Sequence, residues 1–170
     1  MIPLVVVEGA VAQWRQIVDD VVARGWQRVP AWPKAARPGA GLIVAGRIET
    51  EADACSAVLA VTNGYGVIVH GVAERTVLDV LCDDLRHLGP LEHRLRPQLA
   101  LVTDEDRELL DALLDGATLG EAALRLHLSR RTVDRRLAGL RRSWAAPSTA
   151  ALLHAYRSRL AAWPEPPSPR

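Results

Sequence analysis

Residues 118–140 read TLGEAALRLHLSRRTVDRRLAGL, and this stretch decides the C-terminal part of the chain. Its spacing predicts a short helix from Leu119 to Leu126, a turn at His127-Leu128, and a longer helix capped by Ser129. Two helices that cross at a tight turn need small residues where they meet. They also need an apolar residue in the turn and a β-branched or aliphatic anchor on the second helix. Ala122 and Ala123, Leu128 and Val133 supply these. Val133, Leu137, Leu140 and Trp144 then recur at spacings of 4, 3 and 4, one face of a helix. The opposite face carries Arg130, Arg131, Asp134 and Arg135 and, further along, Arg141 and Arg142.

The helical pattern extends on both sides. Thr103 is placed to cap a helix whose first turn holds Asp104, Glu105 and Asp106, acids that suit the positive end of its dipole. Leu109, Leu110, Leu113 and Leu114 form its apolar stripe, and Gly116 ends it. Pro147-Ser148 breaks the longer helix, and a fourth is expected from about Thr149 to Ala162. Residues 101–162 therefore read as an all-α four-helix domain. The tail WPEPPSPR, 163–170, reads as disordered from its composition.

Charge singles out the same region. Residues 1–95 hold 9 basic and 11 acidic residues, a net −2; residues 96–170 hold 12 and 9, a net +3. Between 125 and 142 there are seven arginines against the single acid Asp134. Such a local footprint attracts phosphate in a way the whole-chain charge of +1 conceals.

The line LVTDEDRELLDALLDGATLGEAALRLHLSRRTVDRRLAGLRRSWAAPSTAALL, 101–153, resembles the LuxR-type (GerE-like) helix-turn-helix domain without a gap. Thr103, Gly116, Thr118, Glu121, Ala123, Leu128, Ser129, Thr132 and Val133 stand at the positions of that family's pattern. Departures occur at the turn, where His127 replaces the usual glycine, and at Arg136, where histidine is usual. Others are Ser143 for lysine, Trp144 for leucine, Ala145-Ala146-Pro147 for the Gly-Val turn, and Thr149 for arginine. They bear on local phosphate contacts and on the orientation of the last helix. The resemblance implies a transcription regulator with its second helix in a major groove. Asp134 and Arg135 would contact base edges, Arg135 pairing with guanine and Asp134 accepting from cytosine or pairing with Arg130. Arg130, Arg131, Thr132, Arg136 and Arg141 would contact phosphates. The last helix would form a homodimer around Ala151, Leu152, Ala155 and Tyr156, on an inverted-repeat site in double-stranded DNA. The same four residues would equally serve to close the bundle.

The first ninety residues alternate apolar runs with amphipathic stretches, as in an α/β domain with a small parallel sheet. Strands are expected at Leu4–Val7, around Gln27-Arg28-Val29, at Leu42–Ala45 and at Tyr65–Val69; helices at 10–24, 49–61 and 74–88. PAWPKAARPGAG, 30–41, reads as loop, and 91–100 as a linker. This part resembles a response-regulator receiver, truncated by about one α/β unit. Its phosphoacceptor chemistry is missing: the first strand ends in the single acid Glu8, the acceptor position falls at Gly46 or Arg47, and His70 or Gly71 replaces the lysine. The expectation is an atypical orphan regulator that works without aspartyl phosphorylation.

No enzyme motif is present. Glu8, Arg47, Thr62 and His70 are the polar residues that strand ends would gather, with no phosphate loop, nucleophile elbow or metal-ligand spacing around them. Cys55 and Cys82 read as buried thiols, and no cofactor is expected. The start of the chain lacks signal-peptide character, and no apolar run spans a bilayer, so a cytoplasmic protein is expected. Two alternatives stay open. One is an interaction protein that binds another regulator or RNA polymerase; the other is a regulator sensing a small molecule through residues 1–90. A dimer face on the helix bearing Val77, Val80 and Asp84 is a further possibility.

Overall fold

The computed structural model describes residues 1–30, 32–33, 41–94 and 102–167. They form a mixed α/β protein with a five-stranded parallel sheet and seven helices. The chain divides into two compact units, Met1–Leu99 with Trp163–Arg170, and Ala100–Ala162. Residues 31 and 34–40 of the expected loop and 95–100 of the expected linker lie outside the described residues.

The first unit contains β1 (Leu4–Val7), α1 (Val11–Ala23), β2 (Gln27–Val29), β3 (Leu42–Ile48), α2 (Glu51–Thr62), β4 (Gly66–Gly71), α3 (Arg75–Leu88) and β5 (Leu91–Arg94). An uninterrupted apolar run such as LVVV suits a strand buried on both faces, and all four residues of β1 are buried. Their alternation divides the core. Leu4 and Val6 join Val44, Val67, Val69, Leu78, Leu81 and Leu85 on the α2–α3 side. Val5 and Val7 join Trp14, Ile17, Val21, Trp26, Ile43 and Ile68 on the α1 side.

Every strand pair is parallel, in the order β2-β3-β4-β1-β5. The connection from β1 to β2 runs one way across the sheet, and those from β3 to β4 and β4 to β5 run the other. Right-handed crossovers then put α1 on one face and α2 and α3 on the other, which is how the core divides. The order corrects the receiver-like expectation, since sheets of that kind run 2-1-3-4-5. Apolar runs specify that a strand is buried, not which strand lies beside it.

Four further expectations change. The sheet has a fifth strand, because Leu91–Arg94, read as linker, pairs with β1 in register Leu4↔Leu91 to Val7↔Arg94. The tail expected to be disordered has a buried residue, Trp163, in the α1-side core of the first unit. Cys55 is exposed on α2, whereas Cys82 is buried and its thiol pKa pushed up by desolvation. Strand β3 also runs on to Ile48, so Gly46 and Arg47 lie inside it rather than at its end.

The second unit consists of α4 (Asp104–Leu114), α5 (Leu119–Arg125), α6 (Arg130–Ser143) and α7 (Thr149–Ala161). Each starts at a hydroxyl cap: Thr103, Thr118, Ser129 and Ser148 accept from backbone N–H groups three residues on. Leu109, Leu110, Ala122, Val133, Leu137, Leu152 and Tyr156 meet in one core. Among the described residues no helix is long and apolar enough to cross a membrane.

Helix α6 closes with Ala145 at φ 49°, its N–H donating to Arg142 O at 3.2 Å, and Ala146 N–H donating to Arg141 O at 2.8 Å. A left-handed alanine is strained where glycine is not. Ala145→Gly is therefore expected to stabilise the helical unit by about 0.5–1 kcal/mol, after allowing for glycine's greater unfolded-state entropy. Urea unfolding checks this; a lower midpoint in the variant contradicts the left-handed closure.

Candidate functional site

The site is built on α5, the turn and α6. At the start of α5, the Thr118 backbone N–H donates to Glu121 Oε2 at 2.7 Å, and the Glu121 N–H donates to Thr118 Oγ1 at 3.3 Å. This reciprocal cap follows from the T-x-x-E spacing. The Thr118 backbone N–H, and then its side chain, hold the Glu121 carboxyl below the usual carboxylate range.

At the end of α5, His127 takes the left-handed conformation with φ 52°. Its N–H donates to Leu124 O at 3.2 Å, and the Leu128 N–H to Ala123 O at 2.8 Å. The chain thereby reverses within a few residues and reaches Ser129, which caps α6 through the Thr132 N–H at 3.1 Å. Ala122 and Ala123 are buried where the helices cross, and Val133, Leu137 and Leu140 face inward. Residues offset from that face by half a helical turn must then face outward. Arg130, Arg131, Asp134, Arg135 and Arg142 are all exposed.

The seven residues read as nucleic-acid contacts are not equivalent. Arg130 Nε donates to Asp134 Oδ1 at 3.3 Å, the i,i+4 pairing weighed against base contact for Asp134. Both side chains are more than half exposed, so the pair contributes no more than about 0.5 kcal/mol. Such a contact yields to a better partner. The Thr132 hydroxyl lies 2.9 Å from Ser129 Oγ and belongs to the cap. Arg136 is ion-paired with Glu105 at the start of α4. Arg141 donates through Nη2 to Pro147 O at 3.1 Å, fastening the turn into α7. Arg131 and Arg135, one helical turn apart, are exposed and have no ion pair among the described residues.

Of the residues read as dimer contacts, Leu152 and Tyr156 are fully buried. The Tyr156 hydroxyl donates to Asp111 Oδ1 at 3.0 Å, and its ring meets Trp144 edge-on at 6.3 Å. Ala151 and Ala155 are half-buried on the same helix. Closing the bundle is what Leu152 and Tyr156 do in this unit, so neither presents an apolar surface to a second copy.

In the α/β unit, the polar residues expected at strand ends do not form one site. Thr62 ends α2 and donates to Leu59 O at 2.9 Å, while Arg47 pairs with Glu49 at 3.1 Å. His70 Nε2 lies 2.8 Å from Gly9 O, with its ring stacked on Trp14. Glu8 is bound by His93 at 2.5 Å and Arg75 at 2.9 Å. Sequence reading missed both partners, because the β1–β5 pairing brings His93 to Glu8. Among the described residues no group of three or more His, Cys, Asp or Glu could hold a metal ion. The face bearing Val77, Val80 and Asp84 lines an apolar groove of about 580 Å³ between α2 and α3, with Cys55, Val58 and Leu59 opposite.

The chain matches no protein-family model and no curated protein.

The lowered Glu121 carboxyl has a pH consequence. A group whose pKa is depressed on folding contributes stability above its unfolded pKa, lost as pH falls through the folded one. The helical unit is thus expected to weaken as acid protonates Glu121. Glu121→Gln keeps an acceptor at the cap but removes that component, so its acid unfolding curve should be flatter than the parent's. Superimposable curves in a pH series of urea titrations contradict the cap's ionic character.

Proposed function

We propose that the chain is a sequence-specific DNA-binding transcription regulator whose helical unit is of the LuxR type, working without aspartyl phosphorylation. The observation that carries this is the outer face of α6. Its inward side is packed, Arg136 and Arg141 are engaged within the unit, and Arg131 and Arg135 are left exposed with no ion pair among the described residues. The nine positions shared with the LuxR-type pattern lend the same reading independent support.

In this reading α6 enters the major groove by its N-terminal half, as recognition helices of this geometry do. Arg135 offers a planar fork to guanine O6 and N7. Asp134 exchanges its loose pairing with Arg130 for a cytosine amino group, releasing Arg130 toward a phosphate. Arg131, nearer the start of α6, contacts the backbone and sets register. Because α5 and α6 are fixed by packing and capping, little order has to be imposed on binding. Two copies of the unit would read an inverted repeat.

Neither expected acceptor position carries an aspartate, and both, Gly46 and Arg47, lie within β3. Acetyl phosphate should accordingly leave the protein's mass unchanged. The apolar groove between α2 and α3 favours one second reading, an interaction protein that docks another regulator or RNA polymerase on that unit.

Variants of the two exposed arginines separate base contact from phosphate contact. Arg135→Ala should cost about 1–3 kcal/mol on the preferred site and relax the choice of base there. Arg131→Ala should weaken all duplexes alike and reduce the slope of log K against log salt by about 1. Fluorescence anisotropy over a salt series measures both. Unchanged affinity and preference in Arg135→Ala contradict this assignment of the recognition face.

A further inference from the structure

We propose that the α/β unit carries a binding groove for a tryptophan-proline-acid peptide, and that the chain's own segment Trp163–Pro167 occupies it as a clasp. This site is separate from the α6 face and does not depend on the function of the helical unit.

Trp163 is 6% exposed and packs among Val5, Val7, Ile17, Val21, Trp26, Ile43 and Ile68. The Arg94 guanidinium lies over its ring, 5.5 Å from the centroid. Trp26 Nε1 donates to Pro164 O at 2.7 Å. Arg24 reaches Trp163 O through Nε at 3.4 Å and Glu165 Oε1 through Nη2 at 2.7 Å. Pro166 rests against Gly25 and Gly41, where a Cβ would approach it to 3.4 and 2.8 Å. An aromatic anchor, an indole donating to a backbone carbonyl, an arginine for the acid and a floor without side chains form a recognition site for a proline-rich peptide. Such peptides are stiff before they bind, so ordering costs little.

The peptide is not a continuation of the sheet or of a helix. It enters a face that only α1 covers among the helices of the unit, and its prolines keep it extended. The chain leaves the α/β unit after β5 and rejoins it at Trp163, beside Arg94 of that same strand. In chain order the helical unit, Ala100–Ala162, thus lies between two segments of the α/β unit. Covalent attachment gives the tail a high effective concentration at its groove. A partner with the same tryptophan-proline-acid order competes for the groove and displaces Trp163–Pro167 from it.

The test uses the full chain and a fluorescein-labelled peptide of sequence WPEPPSPR. Trp163→Ala empties the anchor position, and this variant is expected to bind the peptide at least tenfold more tightly than the parent, whose groove is filled. The peptide should also raise the variant's melting temperature, and a peptide with alanine for tryptophan should do neither. Should Trp163→Ala fail to fold, Glu165→Arg weakens the clasp without removing the anchor. The same gain in peptide binding, together with faster proteolysis near residue 163, is expected of it. Equal peptide binding by parent and variants, or loss of stability that the peptide does not restore, overturns the proposal and leaves Trp163 a packing residue only.

Discussion

The close approach of α5 to α6 is the constraint on which the site depends. Ala122 and Ala123 let the helices meet, Val133 fills the space between them, and the left-handed His127 turns the chain tightly enough to bring them together. Once that crossing is fixed, helical geometry leaves no choice about which α6 side chains face outward. The caps at Thr118 and Ser129 hold the ends of the two helices, so the arrangement of exposed arginines rests on rigid elements. An arginine run by itself would say little, because most charged helix faces are simply solvated. What distinguishes this one is the division of labour among its members. Arg136 and Arg141 brace the unit against α4 and the α6–α7 turn, while Arg131 and Arg135 brace nothing among the described residues.

The α/β unit has a different logic. Strand β1, between β4 and the edge strand β5, is buried on both faces and hydrogen-bonded to both. The crossovers leaving β1 and β4 diverge across the sheet, which gives the two faces different coverings. One face has two helices with an apolar groove between them, and the other has α1 together with the peptide Trp163–Pro167. The Glu8 carboxylate at the end of β1, bound by His93 and Arg75, ties β5 and α3 to that strand. Among the described residues of this unit, Glu8, Arg47, Thr62 and His70 each have separate partners.

The helical unit was legible in the sequence because its signals are local. Capping hydroxyls, the T-x-x-E box and the 4-3-4 apolar spacing of α6 each act within a few residues. The strands were legible as apolar runs, but their order was not, since periodicity reports faces and not neighbours. LEHR at 91–94 has only one apolar residue, so an edge strand read as linker. WPEPP read as disordered because its composition lacks helix or strand character. Its order comes from Trp26, Arg24 and Arg94, which are remote in sequence. At the candidate site the arginines could be named but not sorted. Arg136 finds Glu105 thirty-one residues away, and only the folded unit reveals that it is engaged.

Selection of binding sites from a random duplex library by the full-length protein tests the central claim most directly. The account predicts an enriched inverted repeat, its half-sites about one helical turn apart at 10–10.5 base pairs, with guanine at a fixed position in each half. Recovery of duplexes with no common sequence, or retention that vanishes at moderate salt for every sequence, would contradict it.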